Sequence, residues 1–342
     1  MNKNFLELLE KMCLTFAPTG CENRMAELIE EAVGGVADCK KDRLGNLIVH
    51  LKGNGKKIML SAGMDEAGFM ITDVDDKGYV RLDKTGSSDT GCFLGQRILL
   101  GNEQETLTGV GGAKVLHLAS GAESSDTPAI DKLFVDTGLT KDEVSAKIEK
   151  GDFAAYEGTF RTLPSGYIAG KALESRCACA ILVSLILTLA SKKEEERNDL
   201  YFVFGIKEKA GMSGAVVASY AIDPEEAYLV SYAPANDFEG VDEEKKGAKL
   251  GSGAVVALKD RRVLYFDAPL MQKALDTAKE QNIPAVALDQ AQADLSSGAL
   301  HLVRAGIPCA CFRVPCRNPE TTLAIMKTED IDSVYALLLA LI

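Results

Sequence analysis

Histidine is scarce in this chain: three residues, His50, His117 and His301, in a sequence of 342. No two of them form an H-E-x-x-H pair, so the helical zinc site of that kind is excluded. There is no G-x-S-x-G string either, which leaves a nucleophilic serine without its elbow. Long apolar runs are missing as well. The longest, residues 177–190, is interrupted by Ser184 and Thr188 and falls short of the roughly 20 residues that span a bilayer. It reads as a buried helix. Glu7, Glu10 and Lys11 break up the apolar pattern of the opening residues, where an export signal needs an uninterrupted apolar stretch. Positive charge is also in deficit, with 50 acidic against 38 basic side chains and a net charge of −12. That balance argues against nucleic acid and against anionic membrane as partners.

What is present suits a globular protein. Hydrophobic residues make up 46% and charged residues 26%, enough for a real core, and the length accommodates two domains or one domain carrying an insertion. The nine cysteines are odd in number and scattered, which fits free thiols in a reducing cytoplasm better than a disulfide framework. Cys177 and Cys179 lie two apart on a predicted helix and point in different directions, so they read as core packing. Cys309 and Cys311 would share one strand face, with Cys316 following. Their spacing is not that of a zinc knuckle, and packing is the better reading there too.

Helical spacing of Phe5, Leu8, Leu9 and Met12 predicts a helix over 3–16, and a second covers 22–36. Short strand-like runs follow at 39–43, 46–51 and 57–62. Residues 67–163 change character, with brief glycine-punctuated segments and one helix near 141–150, as in a small inserted β-barrel or sandwich. Beyond residue 170 helices alternate with strands: helix 173–192, strand 200–206, helix 211–221, strand 227–231, helix 269–281, strand 284–288, helix 295–304, strand 309–314 and helix 328–342. The expected architecture is a three-layer α/β/α domain with a mixed sheet, built from residues 1–66 and 164–342. Residues 67–163 would form an inserted β-rich domain.

Particular strings then become recognisable. Among them are Pro18-Thr19-Gly20-Cys21-Glu22, Asp42-Arg43-Leu44-Gly45-Asn46, Ala62-Gly63-Met64-Asp65-Glu66-Ala67-Gly68 and Lys171-Ala172-Leu173-Glu174-Ser175-Arg176. Gly211-Met212-Ser213-Gly214-Ala215, Gly306-Ile307-Pro308 and Pro315-Cys316-Arg317 continue the series in order. Together they make the chain similar to the M42 family of glutamyl and deblocking aminopeptidases, some of them named endoglucanases. The resemblance implies two zinc or cobalt ions held by five side chains, a bridging Asp, and a Glu as general base.

At those positions this sequence departs from the family pattern. Gly63 stands where the resemblance places the first ligand His, with Asp65 retained beside it. Glu174 replaces the bridging Asp. Glu208 keeps the general-base position, while Lys209 replaces a metal-binding Glu. Ser231 stands for a ligand Asp and Glu320 for the last His, with Arg317 nearby. The resulting expectation is a homologue without normal metalloaminopeptidase activity, acting as a structural, regulatory or peptide-binding protein, with Lys209 standing in electrostatically for a metal ion. The alternative is a hydrolase with an altered or single-metal site, holding Mg or Mn and using Glu208 as base. No cofactor is otherwise expected. By the resemblance, the partners are further copies of the chain in a dimer or dodecamer, an active paralogue or a peptide.

Overall fold

In the computed structural model, residues 3–86, 88–113, 129–211, 214–260, 264–289 and 296–342 are described. The chain opens with helices α1 (Lys3–Leu14) and α2 (Asn23–Val33), then strands β1 (Asp38–Lys41), β2 (Leu47–Leu51) and β3 (Lys57–Gly63). Next come β4 (Gly68–Val74), β5 (Val80–Thr85), β6 (Arg97–Gly101), β7 (Thr106–Gly112), β8 (Phe134–Asp136), α3 (Lys141–Ser145) and β9 (Phe153–Tyr156). They are followed by β10 (Phe160–Thr162), β11 (Tyr167–Gly170), α4 (Leu173–Leu189), β12 (Asp199–Gly205), α5 (Gly214–Ile222) and β13 (Glu226–Pro234). The last stretch holds β14 (Ala254–Asp260), β15 (Leu264–Tyr265), α6 (Ala268–Glu280), β16 (Ala285–Asp289), β17 (Cys309–Cys316), β18 (Ala324–Lys327) and α7 (Thr328–Leu341).

A nine-stranded sheet runs in the order β1-β2-β12-β3-β13-β17-β14-β15, with β16 on β14. Its centre, β12-β3-β13-β17, is parallel, and antiparallel strands complete both flanks. Because side chains alternate along a strand, each face has its own core. Leu60, Phe202, Phe204, Tyr228, Val230 and Phe312 turn one way and meet α1, α2, α4, α6 and α7. Met59, Val203, Leu229, Cys309 and Cys311 turn the other way, onto α5 and a 3-10 segment, Ser296–Leu302. This is the expected α/β/α layering with a mixed sheet.

α4 lies against the sheet centre. Almost every residue from Leu173 to Leu189 is buried, which accounts for its largely apolar character better than an amphipathic surface helix would.

The six strands from β4 to β9 close into a barrel ordered β4-β5-β8-β7-β6-β9. Its core includes Phe69, Phe93 and Tyr156, with Phe69 edge-on to both other rings at 5.5 and 5.8 Å. β10 pairs with β11, and β11 with β18, so the chain rejoins the larger domain just after the barrel closes.

Some expectations needed adjustment. The helix expected at 141–150 stops at Ser145 after a capping box between Thr140 and Glu143. The segment expected as a helix over 295–304 is the 3-10 stretch Ser296–Leu302, whose Ser-Ser-Gly start disfavours a regular α-helix. Cys309 and Cys311 sit in one core and Cys316 in the other, on opposite faces of β17. Packing, not a thiolate cluster, explains them.

The central position of α4 sets a stability expectation. Leu182→Ala, in the closed core, should cost about 3 kcal/mol, whereas Leu187→Ala, at a position 44% exposed, should cost less than about 1 kcal/mol. Urea unfolding of both variants would check the contrast.

Candidate functional site

The parallel strands β3, β12 and β13 end side by side, and in open α/β sheets that edge is where crevices form. Gly63 and Gly205, the last residues of β3 and β12, are direct register partners. Neither has a side chain, so together they leave a flat niche on the face that carries Met59 and Val203. Glu208 fills it. A Cβ on Gly63 would meet Glu208 Cγ at 2.9 Å and Cβ at 3.0 Å, and one on Gly205 would meet Glu208 Oε1 at 2.9 Å. By strand alternation Ser231 belongs to this face too, registered against the fully buried Arg313 of β17.

The neighbouring residue goes the other way. Lys209 crosses to the α4 side, where its ammonium lies 2.9 Å from Glu320 Oε1 and 3.9 Å from Glu174 Oε1. It also stands 4.8 Å above the Tyr232 ring, a cation–π distance. The Tyr232 hydroxyl donates to the same Glu320 oxygen at 3.1 Å, and the Glu320 amide donates to Glu174 Oε1 at 3.3 Å. The lysine side chain is only 10% exposed and Glu174 2%.

Backbone geometry around this cluster is unusual. Ala172, Lys207 and Glu320 all have positive φ, 53°, 56° and 63°, a region costly for side-chain-bearing residues and found where surroundings enforce it. Ala172 caps α4 and so sets the first turn that carries Glu174. The barrel contributes a steric wall: at Gly86, with φ +107°, a Cβ would sit 2.7 Å from the Lys209 carbonyl oxygen.

Asp65 lies just past β3, fully buried. Its Oδ2 accepts the Thr19 hydroxyl at 2.7 Å and the Lys209 amide at 2.9 Å. Behind it, Glu66 is clamped between Lys171 at 2.8 Å and Arg176 at 3.3 Å, all three buried. Arg176 also donates to the Met64 carbonyl. Burial raises the Asp65 carboxyl above its ordinary value, against the opposing pull of the Lys209 amide and the Thr19 hydroxyl. Burial raises Glu174 likewise, with the Lys209 charge working against it. For Lys209, burial alone would depress the ammonium, but Tyr232, Glu320 and Glu174 outweigh it and hold the group above the usual lysine range.

The structure thus brings Asp65, Glu174, Lys209 and Glu320 into one cluster, with Glu208 over Gly63 on the adjoining face. Arg317 is directed elsewhere, forming a bidentate pair with Asp237 at 2.6 and 2.9 Å. Tyr232, Thr19 and Glu22 take part in the arrangement although the sequence reading gave them no role. Tyr232 followed a candidate position directly, and Thr19 and Glu22 lay inside a string that had been picked out. Among the described residues, no three His, Cys, Asp or Glu side chains converge so as to hold a metal ion. His50 pairs with Asp199 at 2.7 Å and stacks on Tyr201, away from the cluster. His117 lies outside the described residues.

Comparison with known proteins agrees with this architecture. The M42 glutamyl aminopeptidase family profile matches residues 45–337. A putative aminopeptidase of Acetivibrio thermocellus is 33% identical over 340 residues, covering 98% of each chain. The solved aminopeptidase of Desulfurococcus kamchatkensis superposes with a TM-score of 0.92 at 25% identity, covering 98% of this chain and 94% of its own. The TET1 peptidase of Pyrococcus horikoshii, described as able to assemble into a tetrahedron or a large octahedral shell, gives a TM-score of 0.87 at 25% identity, covering 98% of both chains. With its three-layer domain, inserted barrel and near-complete match in length, the chain belongs to the M42 aminopeptidase family.

Proposed function

We propose that this M42 homologue is a peptide-binding, structural or regulatory protein whose cluster is neutralised by its own lysine instead of by a pair of metal ions. The observation that carries the reading is the Lys209 ammonium, 2.9 Å from Glu320 and 3.9 Å from Glu174. A dication placed about 4 Å from that ammonium would meet roughly 8 kcal/mol of repulsion at an effective dielectric of about 20. The donors suit two ions poorly in other ways. Gly63 offers no side chain, and the space a ligand would take there is held by Glu208. Ser231 offers a neutral hydroxyl that zinc and cobalt sites seldom use. No step of this reading passes through a metal.

What the residues do instead follows from charge. Lys209 makes the juxtaposition of Glu174 and Glu320 tolerable, and Tyr232 covers the ammonium while donating to Glu320. Assembly of identical subunits, as described for the Pyrococcus horikoshii relative, extends naturally to this chain. An active paralogue would be the partner for a regulatory role.

A second reading keeps hydrolysis at an altered or single-metal site, with Glu208 as general base and Mg or Mn as the ion. Its support is that, among the described residues, Asp65 Oδ1 and Glu174 Oε2 are buried without a hydrogen-bond partner, as oxygens awaiting a small cation would be.

Two measurements test this. Elemental analysis, combined with aminoacyl-anilide turnover in added zinc, cobalt, manganese or magnesium, should find substoichiometric metal and no turnover. Two bound transition-metal ions per chain with turnover would refute the leading reading, and turnover with manganese or magnesium alone would favour the second. Lys209→Met should destabilise the fold by about 3–5 kcal/mol near pH 7, because it leaves buried carboxylates unpaired. The sign of the pH dependence follows from the raised values of Asp65 and Glu174. A carboxyl raised in the folded state contributes stability below its unfolded pKa and loses it as pH rises through the folded value. Without the lysine those values climb further, so the loss should shrink near pH 4. Urea titrations at the two pH values would reveal it, and an equal loss at both would contradict the electrostatic account.

A further inference from the structure

The segment after β12 places Glu208 on one face of the sheet end and Lys209 on the other, and that split begins at Lys207, whose φ is +56°. A non-glycine residue is strained there, and something must hold it. The Lys207 amide donates to Glu22 Oε1 at 3.0 Å, and the same oxygen accepts the Gly20 amide at 2.9 Å. Glu22 is 6% exposed. It occupies the N-cap position of α2, yet its side chain caps none of that helix's amides. Its carboxylate is committed across the chain to the strand-end turn. One further contact closes the turn, from the Lys209 amide to Asp65 Oδ2 at 2.9 Å.

We propose that Glu22 is a positioning residue: by holding the left-handed turn at Lys207, it directs Lys209 into the Glu174–Glu320–Tyr232 cluster and Glu208 into the Gly63–Gly205 niche. This rests on the reading of Lys209 as the cluster's own cation. Glu22 touches neither the ammonium nor its acceptors. It acts only through the backbone, so relieving the strain at Lys207 should make it dispensable.

The test follows hydrogen exchange of the Lys209 ammonium in the full-length protein labelled with 15N-lysine, the resonance being assigned by its loss in Lys209→Met. A protected ammonium in the wild type is the starting condition; its absence would count against the cation reading itself and not specifically against Glu22. Glu22→Ala should speed exchange by about tenfold or more, whereas Glu22→Gln, which retains an acceptor oxygen, should stay within about threefold. Glu22→Ala combined with Lys207→Gly should return to the Gln level, because glycine adopts positive φ freely. A merely structural Glu22 would lower the melting temperature without moving the ammonium, and Lys207→Gly would not correct it. Unchanged exchange in Glu22→Ala, or no recovery in the double variant, overturns the proposal. Should Glu22→Ala fail to fold, recovery of both folding and protection in the double variant supports it, and a double variant that stays unfolded overturns it.

Discussion

A buried ammonium must be neutralised where it lies, and the Lys209 contacts organise everything around the end of the sheet. Glu320 approaches it to 2.9 Å from a left-handed residue, Glu174 from the first turn of α4, and Tyr232 from the last turn of alternation on β13. Each belongs to a different element, so the cluster ties together strand, helix and loop. The carboxylates gain less than the cation does. Burial raises Glu174 while the lysine is held firmly charged, as expected when several acidic groups compete for one positive charge.

Behind the cluster lies a second layer of buried charge. Glu66 is shared between Lys171 and Arg176, and its backbone joins the Ala17–Thr19 turn, while Thr19 in turn holds Asp65. Replacing one member of such a network leaves an uncompensated charge in a dry site, which is why charged residues persist here although apolar ones of equal volume would pack as well. The barrel enters through sterics. Its turn at Gly86 approaches the Lys209 backbone so closely that any side chain there would collide.

Much of the fold was legible in the sequence. The apolar runs at 57–62, 200–206, 227–231 and 309–314 became the parallel centre of the sheet, because strands buried on both faces need continuous hydrophobic character. The strand Ala254–Asp260 escaped notice. Its local pattern resembles a short apolar helix segment as much as a strand, and only pairing with β16 and β17 decides between them. At the site, the resemblance to the M42 family pointed to the residues around the strand ends but not to where their side chains go. Glu208 could be read as a base facing an open crevice. Its position over Gly63 depends on the register of Gly63 with Gly205, a pairing between strands far apart in sequence. Arg317 was named as a neighbour of the cluster, yet Asp237, from a loop of no marked pattern, takes its guanidinium away.

Gly63 and Lys209 are coupled through the backbone that joins the two faces of the sheet end. A side chain at position 63 would displace Glu208 from its niche, and Glu208 and Lys209 are adjacent, sharing a turn whose first residue is already strained. Moving Glu208 off the niche would therefore disturb the peptide unit whose amide Asp65 accepts, and with it the direction of the lysine. The small residue on one face and the cation on the other are coupled through three residues of backbone. A side chain introduced at position 63 alone would strain the turn without removing the ammonium on the other face.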